Sequence, residues 1–513
     1  MNNIMFKKWL GKNTSKTQPI NPHPQLLVEL FKKAKKSNDF KQFSVTNEEG
    51  NLIISFYNTL IDQQQLQCKI LHVFQEHYTD VSNIEIKDIK NMIPIEDIIL
   101  TDSLEVIESK LLRGYAILQI KENENTCALI NISDKEIGLR DQNEAENEFS
   151  VVGPKTGFVE NIDINLHLLR GHLKTPNLIF QEINVGTLSH TRVVIIYLEG
   201  ITNPQHIHTM NQRLQDIDFD VVFDSSQLHQ IISDDSLTPF PLSLSTERVD
   251  RMVWALINGQ VAVLCEGSPY AITAPATLFD FFVSPEDYYL QWVIASFFRM
   301  IRILGVLFSI FATSIYIAVL TYHYELIPKV LLGPLVYSRH NVPFPPVLEV
   351  LFLEFTIELL REAGARLPAK VGQTLGIVGG IVIGQAAVEA ALTSNVLLII
   401  VALSALASST TPSYKFSNTI RFLRFPLIIL AAIWGGFGVV LGICFLFAHL
   451  TRLESLGSPY TVPLYPFRPK DFKDTIIRSS YQELAKRPGY LRPKSLWRYN
   501  PNSQKKNKND FNE

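Results

Sequence analysis

The feature that most constrains the fold of this 513-residue chain is a C-terminal region of long apolar stretches. Residues 303–322 carry no charged side chain and are about as many as a helix needs to cross the hydrocarbon core of a bilayer. The segment before Val293 is an ordinary mixture of charged and apolar residues. The sequence therefore predicts an α/β N-terminal region of two small subdomains, followed by an α-helical transmembrane domain. Three further candidate spans follow the first: 371–392, 396–411 and 425–448.

The N-terminal region divides where the sequence pattern changes. Runs of apolar residues at 115–120 and 126–132 predict two strands in a first unit, and the run 193–198 predicts a strand of a second unit that is buried on both faces. A glutamate-rich stretch without apolar periodicity separates the two units. The predicted organisation is a basic flexible arm at 1–42, a first α/β subdomain at 43–132, an acidic linker at 133–150, a second α/β subdomain at 151–292, the transmembrane helical domain at 293–450 and a basic cytoplasmic tail at 451–513.

Lysine and arginine crowd both ends of the chain, although its formal net charge is only −3. Basic segments that flank a membrane domain are typical of the cytoplasmic side, so the pattern does not favour a nucleic-acid partner. The first thirty residues hold no apolar core of a signal peptide. We therefore expect a multi-pass protein of the lipid bilayer whose N-terminal region is cytoplasmic.

Sequence motifs of common enzymes are missing. The chain contains no GxxxxGK[ST] loop, HExxH pair or GxSxG turn. Its 4 cysteines have no CxxC spacing, and His206 and His208 are two residues apart in a predicted helix and so lie on different faces. The sequence predicts no catalytic site, no cofactor and no metal site.

One predicted helix, 347–364, is apolar on one side and charged on the other. Charged side chains at the centre of a bilayer cost several kcal/mol each, so this helix cannot face lipid all round. It could lie in the interface, re-enter the membrane or line water. We expect it not to span, which leaves about four crossings and places both basic ends in the cytoplasm. Its acidic residues form either a solvated face or a cation-attracting vestibule: Glu349, Glu354 and Glu358.

The next apolar segment carries a stripe of glycines, which lets helix backbones approach closely in a bilayer. The glycines stand at four-residue intervals: Gly372, Gly376, Gly380 and Gly384. Polar residues accompany them that water or ions could use: Gln373, Gln385 and Glu389. The stripe predicts either close packing within one subunit or contacts with neighbouring copies around a central path. For the hydroxyl residues 404 and 408–411 we expect hydrogen bonds to their own helix, with a pore lining as the alternative.

Several segments resemble a known family. The run VPFPPVLEVLFLEFTIELLREAGARLP at 342–368 and the run VGQTLGIVGGIVIGQAAVEA at 371–390 are similar to the A subunits of the spore germinant receptors of Firmicutes. The segments 152–170, 192–201 and 284–289 also resemble that family. The chain departs from the family around 152–172, where fewer arginines are present.

The resemblance implies a subunit of a nutrient receptor in the inner membrane of the spore. Its expected partners are a transporter-like B subunit and a lipoprotein C subunit. It also implies a homo-oligomeric ring, by resemblance a pentamer, whose membrane helices form a ligand-gated cation channel.

Three alternatives remain open at this point. A paralogue similar to stage V sporulation protein AF would act as an amplifying channel, and adjacent B and C subunit genes would argue against it. A secondary carrier would show inverted repeats, of which the sequence has no sign. A membrane scaffold without conduction is the third alternative.

Overall fold

The computed structural model describes residues 24–47, 50–76, 86–120, 126–134, 148, 152–481 and 483–499. The predicted acidic linker therefore lies almost entirely outside the described residues, as do residues 1–23 of the predicted arm.

The first unit is a five-stranded antiparallel sheet in the order β1-β2-β4-β5-β3. Its strands are β1 (Phe40–Asn47), β2 (Gly50–Tyr57), β3 (Ile98–Thr101), β4 (Tyr115–Gln119) and β5 (Cys127–Asn131). Its helices are α1 (Pro24–Ala34), α2 (Gln63–Gln65), a π-helical turn (Leu66–Leu71), α3 (His72–Glu76), α4 (Ile89–Met92) and α5 (Leu104–Leu111). Successive strand residues point to opposite faces, so the central strands feed two separate apolar cores.

The predicted flexible arm at 1–42 differs from the structure over its described part. Helix α1 buries Leu27, Leu30 and Phe31 against one face of the sheet, and strand β1 begins at Phe40. The lysines of this segment concealed the helix, because its apolar stripe is short and lies between Pro24 and a basic last turn.

The second unit is also a five-stranded antiparallel sheet, in the order β6-β7-β9-β10-β8. The predicted strand at 193–198 is confirmed, because Val194 and Ile196 belong to one core and Val193 and Ile195 to the other. The strands are β6 (Leu178–Val185), β7 (Thr191–Leu198), β8 (Leu244–Thr246), β9 (Val261–Cys265) and β10 (Ala271–Ala274). The helices are α6 (Ile162–His172), α7 (Pro204–Gln215), α8 (Ser225–Ile231) and α9 (Val249–Asn258).

A fully buried arginine joins the two units. Arg170 of α6 donates from Nε to Asp39 Oδ2 at 2.9 Å and from Nη2 to Asp39 Oδ1 at 2.8 Å. Its guanidinium also lies between the rings of Tyr57 and Phe180, at 4.2 and 4.6 Å from their centroids. The Ser37 hydroxyl donates to Asp39 and accepts from both Arg170 and the Phe180 amide. Because a bidentate pair fixes orientation as well as distance, this contact sets how the two sheets meet.

The C-terminal part is a bundle of helices. These are α10 (Trp292–Thr321), α11 (Lys329–Arg339), α12 (Pro346–Arg366), α13 (Ala369–Glu389), α14 (Asn395–Ser408) and α15 (Tyr414–Arg452). Phe281 of the second unit stacks on Phe416 of α15, so we call this end of the bundle proximal. The opposite end, at Tyr322 and Ser394, is distal. Two helices of the described residues, α10 and α15, are long and apolar enough to cross a membrane.

Helix α15 folds back on itself at Gly435, which has φ 60° and ψ −136°. A carbon added at this glycine would lie 2.7 Å from the ring of Tyr322, so the turn needs glycine for space as well as for backbone conformation. Its two arms, 414–434 and 436–452, run in opposite directions, with Gly442 packed on Leu427. The predicted single span at 425–448 is therefore wrong, since the chain reverses near its middle.

The backbone of residues 292–452, which is described throughout, passes six times between the two ends of the bundle. The passes are α10, α12, α13, α14 and the two arms of α15. Contacts fix their directions: Gly305 of α10 faces Thr410 near the proximal end, whereas Tyr316 of α10 contacts Ser394 at the distal end. Helix α12 is one of these passes and contacts α10, α13, α14 and α15. The expected four crossings of a membrane stay a prediction.

The predicted tail at 451–513 packs back on the second unit over its described part. A short hairpin of β11 (Glu454–Ser455) and β12 (Ser458–Pro459) follows α15. The Ser455 hydroxyl donates to the Leu242 carbonyl at 2.5 Å, and the Lys494 amide donates to the Ile201 carbonyl at 2.9 Å. The segment up to residue 499 thus belongs to the folded protein, and residues 500–513 lie outside the described residues.

Replacing Arg170 with methionine should lower the free energy of unfolding by about 3–5 kcal/mol, because Asp39 then stays buried without a charged partner. Thermal melting of the full chain, with hydrogen exchange at β1 and β6, measures the loss. Arg192→Met is the matched control. Arg192 pairs with Asp163 and Glu182 but is 31% exposed, so its loss should cost at most about 1 kcal/mol. Equal effects of the two substitutions would contradict the assigned role.

Candidate functional site among the apolar helices

Two carboxylates of α12 form ion pairs with two arginines of α15, and one of the pairs is fully buried. Arg424 Nη1 donates to Glu354 Oε2 at 2.9 Å, and both side chains are at most 2% exposed. Arg421 Nη1 lies 3.5 Å from Glu358 Oε2. The two carboxylates are four residues apart and therefore share one face of α12. The two arginines are three residues apart and share one face of α15. Because α12 runs opposite to the first arm of α15, the two faces meet in register.

The third carboxylate, Glu349, lies near the distal end. Arg339 Nη2 donates to Glu349 Oε1 at 2.7 Å, and the Ser394 amide donates to Glu349 Oε2 at 3.3 Å. Glu349 is 1% exposed. It therefore connects the distal helix α11 to the start of α14, where the Ser394 hydroxyl in turn accepts from the Leu397 amide.

Of the two predictions for these residues, a solvated face does not fit Glu349 and Glu354, which are buried. The cation-attracting vestibule stays a prediction. The physical premise was correct, because an unpaired carboxylate in an apolar bundle is costly. Arginines from other helices supply the opposite charge that these buried carboxylates need. Glu358 remains 30% exposed and is the one of the three that solvent could reach.

The glycine stripe of α13 is only partly covered within one subunit. A carbon added at Gly384 would lie 3.6 Å from Leu398 of α14, whereas one added at Gly380 would meet nothing within 4 Å. Gln385 Nε2 donates to Glu389 Oε1 at 2.8 Å on the exposed surface. Packing inside one subunit thus accounts for Gly384 and leaves Gly380 open. The surroundings of three candidates on this helix lie outside the described side chains: Gly372, Gln373 and Gly376.

The hydroxyl residues of α14 and of the turn after it bond mainly to their own segment, which confirms that expectation. Ser408 and Ser409 donate to the Ala405 carbonyl, and Thr410 donates to that of Ala407. Ser404 is the exception, since it donates to the Ser309 carbonyl of α10 at 3.0 Å. It therefore ties two helices together.

A second charge cluster, which the sequence analysis missed, joins the bundle to the second unit. Arg299 of α10 is fully buried and contacts Asp287 Oδ2 and Asp474 Oδ1, each at 3.1 Å. Arg302, one turn further on, donates to Asp287 at 2.5–2.7 Å. Tyr288 donates to Asp474 Oδ2 at 2.7 Å. The two arginines before the first apolar run were a visible signal, but Asp474, a partner of Arg299, follows 175 residues later.

A cavity of about 490 Å³ opens beside this cluster, between α9 and the C-terminal segment. Its walls include Trp254, Asp280, Tyr288, Asp471 and Tyr490. Burial raises the pKa of Asp280, although hydrogen bonds from Thr277 lower it in part.

The described residues offer no group of three or more His, Cys, Asp or Glu side chains that could hold a metal ion. Burial raises the pKa of the Cys127 and Cys265 thiols to about 12, so both stay protonated at neutral pH. Neither thiol is thereby activated as a nucleophile.

Replacing Glu354 with leucine should destabilise the protein by about 3–5 kcal/mol, because Arg424 then keeps its charge without a partner. Adding Arg424→Met should restore stability to within about 1 kcal/mol of the parent, since two apolar side chains suit an apolar bundle. Unfolding of the full chain in detergent measures this double-mutant cycle. Glu362→Leu, which breaks the exposed pair with Arg366, is the control and should cost at most about 0.5 kcal/mol. A double variant as unstable as E354L would refute the pairing energetics.

The comparisons with known proteins agree along nearly the whole chain. The family model described as "Bacillus/Clostridium GerA spore germination protein" matches residues 26–490. Spore germination protein GerQA of Bacillus cereus is 48% identical over 491 residues, which cover 95% of this chain and 97% of that protein. Spore germination protein GerIA of Bacillus cereus is 44% identical, with 97% and 74% covered. The uncharacterized membrane protein YfkQ of Bacillus subtilis (strain 168) is 33% identical, with 88% and 87% covered.

A solved structure also matches part of the chain. It is the crystal structure of the N-terminal domain of the A subunit of the Bacillus megaterium spore germinant receptor GerK3. The match has a TM-score of 0.38 and 23% identity, and covers 50% of this chain and 96% of that one. The family match and the relatives, by contrast, extend through both sheet units and the helical bundle. The chain belongs to the GerA family of spore germination proteins.

Proposed function

We propose that this chain is the A subunit of a nutrient-responsive germinant receptor in the inner membrane of the spore, and that several copies form a ligand-gated cation channel. The proposed partners are a transporter-like B subunit, which binds the nutrient, and a lipoprotein C subunit. Nutrient binding to the partner would favour the open state of the channel by binding that state more tightly. The spore germination relatives and the apolar bundle support this proposal.

The observation that carries the proposal is the uncovered face of α13. Gly380 has open space beside it, Ile381 and Val382 are 64% and 58% exposed, and Gln385 and Glu389 lie on the surface. A glycine face lets a second helix approach closely, whereas a carboxylate and an amide are costly against lipid. A neighbouring copy would cover the glycine and enclose the polar pair around water.

The direction of the bundle supports a cytoplasmic position for both sheet units. Residues at the proximal ends of the helices include four cations, and the distal segment 322–345 contributes two. The proximal cations are Arg366, Lys370, Lys415 and Arg452. Short cytoplasmic loops carry the excess of lysine and arginine, so the proximal end is assigned to the cytoplasm.

Gly380→Leu should abolish assembly and cation flux without unfolding the subunit. The subunit has room for the larger side chain, and replacing glycine in a helix gains about 0.5–1 kcal/mol of propensity. Crosslinking in membranes measures assembly. Flux is measured in sealed vesicles that contain the B and C partners and the nutrient, where the variant should fall to the level of empty vesicles.

Gly333→Leu is the matched control, because Gly333 of α11 also has nothing within 4 Å but lies on another helix. It should assemble and conduct like the parent. If Gly380→Leu assembled and conducted normally, α13 would not line the contact between copies. If the parent receptor passed no cations with its partners and nutrient present, the channel proposal would fail.

The two ends of the bundle should react from opposite sides of the membrane. A membrane-impermeant maleimide should label Glu325→Cys, in the exposed distal turn Tyr324–Leu326, in sealed right-side-out vesicles. The exposed Cys68 of the first unit should react only in inverted vesicles. Labelling of both positions from the same side would contradict the assigned topology.

A further inference from the structure

Helix α11 (Lys329–Arg339), which is described throughout, is rich in apolar residues but contains no buried one. Its large exposed apolar side chains are Val330, Leu331, Leu332, Val336 and Tyr337. At about 3.6 residues per turn, these positions are spread around the whole circumference of the helix. A surface helix of a soluble protein keeps its apolar residues on the side that faces the core. Contacts within one subunit therefore do not account for α11, and an exposed apolar surface of this kind marks a contact with a membrane or another protein.

The chain enters and leaves α11 at the distal end of the bundle. The helix follows the distal end of α10, and α12 begins seven residues after it, at Pro346. Arg339 Nη2 donates to Glu349 Oε1 at 2.7 Å, which ties α11 to the first turn of α12. In the membrane position proposed above, α11 thus lies where the bundle leaves the bilayer on the side opposite the sheet units. Exposed apolar side chains continue along the chain into α12: Phe344, Leu348 and Phe352.

The polar groups of α11 favour the surface of a bilayer over its middle. The helix has a charge at each end, Lys329 and Arg339, about 15 Å apart at 1.5 Å per residue, and none between them. Such long basic side chains reach the headgroups while their stems stay among apolar groups. Pro334 lacks the amide hydrogen that would bond to the Val330 carbonyl, so that carbonyl needs a donor from water or a headgroup. Tyr337 is 86% exposed, and an amphipathic ring suits the headgroup level.

We propose that α11 lies in the surface of the leaflet opposite the cytoplasm, about 5–10 Å into the boundary between headgroups and acyl chains. Lipid covers every face of a helix that its own subunit leaves open, whereas a neighbouring copy would cover one. The ion pair of Arg339 then holds the start of α12 at a fixed depth in the bilayer. This inference rests on the membrane position proposed above, but it does not depend on conduction.

Fluorescence quenching by lipids that carry a nitroxide at a shallow or a deep carbon tests this position. The full chain is reconstituted in sealed vesicles of phosphatidylcholine and phosphatidylglycerol, with one NBD group on Val330→Cys or Val336→Cys. The exposed cysteines are first replaced, as Cys68→Ser and Cys444→Ala. Val330 and Val336 are 86% and 61% exposed, so neither substitution should disturb folding. The shallow nitroxide should quench both labels more than the deep one, and aqueous iodide should quench them less than a label on Glu325→Cys.

Phe445→Cys, in the second arm of α15, is the matched control. Phe445 is 68% exposed and lies ten residues, or about 15 Å, from the turn at Gly435. That distance places it near the middle of a hydrocarbon core about 30 Å thick. Its label should therefore show the opposite order, with stronger quenching by the deep nitroxide.

The alternatives for α11 give different results. Iodide quenching at Val330 and Val336 as strong as at Glu325 would place the helix in water. Protection from both quenchers, with bismaleimide crosslinks between copies, would place it in a protein interface. Either result, or stronger quenching by the deep nitroxide, would overturn the inference. A label on Phe445 that no lipid quenches would instead contradict the membrane position itself. A receptor that passes no cations while its labels keep the shallow pattern would contradict the channel and leave α11 at the lipid surface.

Discussion

Neutralisation of buried guanidinium groups is the constraint on which the arrangement of this protein depends. Among the residues whose side chains the structure describes, the three largest that are fully buried are Arg170, Arg299 and Arg424, and each lies where two parts of the chain meet. Arg170 joins the two sheets, Arg299 joins the second unit to the bundle, and Arg424 joins α15 to α12. A buried charge without its partner costs several kcal/mol. The fold must therefore place a carboxylate beside each of these arginines.

The sequence predicted the elements whose signal is local. The strand at 193–198 was correct because a run of β-branched residues needs two apolar cores, which its two faces provide. The turn at Gly435 was not predicted, because two glycines inside an apolar run look like helix packing sites. Its cause is the distant ring of Tyr322, whose hydroxyl donates to the carbonyls of Ala432 and Ile433 at 2.9 Å. Both carbonyls lie just before Gly435, where the backbone hydrogen bonds of the helix end, so the Tyr322 hydroxyl supplies a donor for them.

The charged helix α12 shows how a correct physical premise can leave the partners of its charges open. Glu354 and Glu358 pair with Arg424 and Arg421, which follow more than sixty residues later. The spacing of four residues in one helix and three in the other is the pattern that could have suggested the pairing. Many pairs of helices would fit that spacing, so the sequence alone does not identify α12 and α15 as partners. The same holds for Asp474, whose partner is fixed by the return of the chain to the second unit.

Helix α10 connects these constraints in one rigid element. At its proximal end Arg299 and Arg302 hold Asp287 of the second unit, and at its distal end the following residue Tyr322 caps the break in α15. The thirty residues of α10 span about 45 Å at 1.5 Å each. A tilt of α10 about its proximal end therefore displaces its distal end farther than its proximal end. Both ends of α10 are held by polar bonds as well as by apolar contacts, so α10 connects the second unit to the distal turn of α15. Helix α13 packs on α12, and α12 in turn packs on α10, so one intervening helix links α13 to α10.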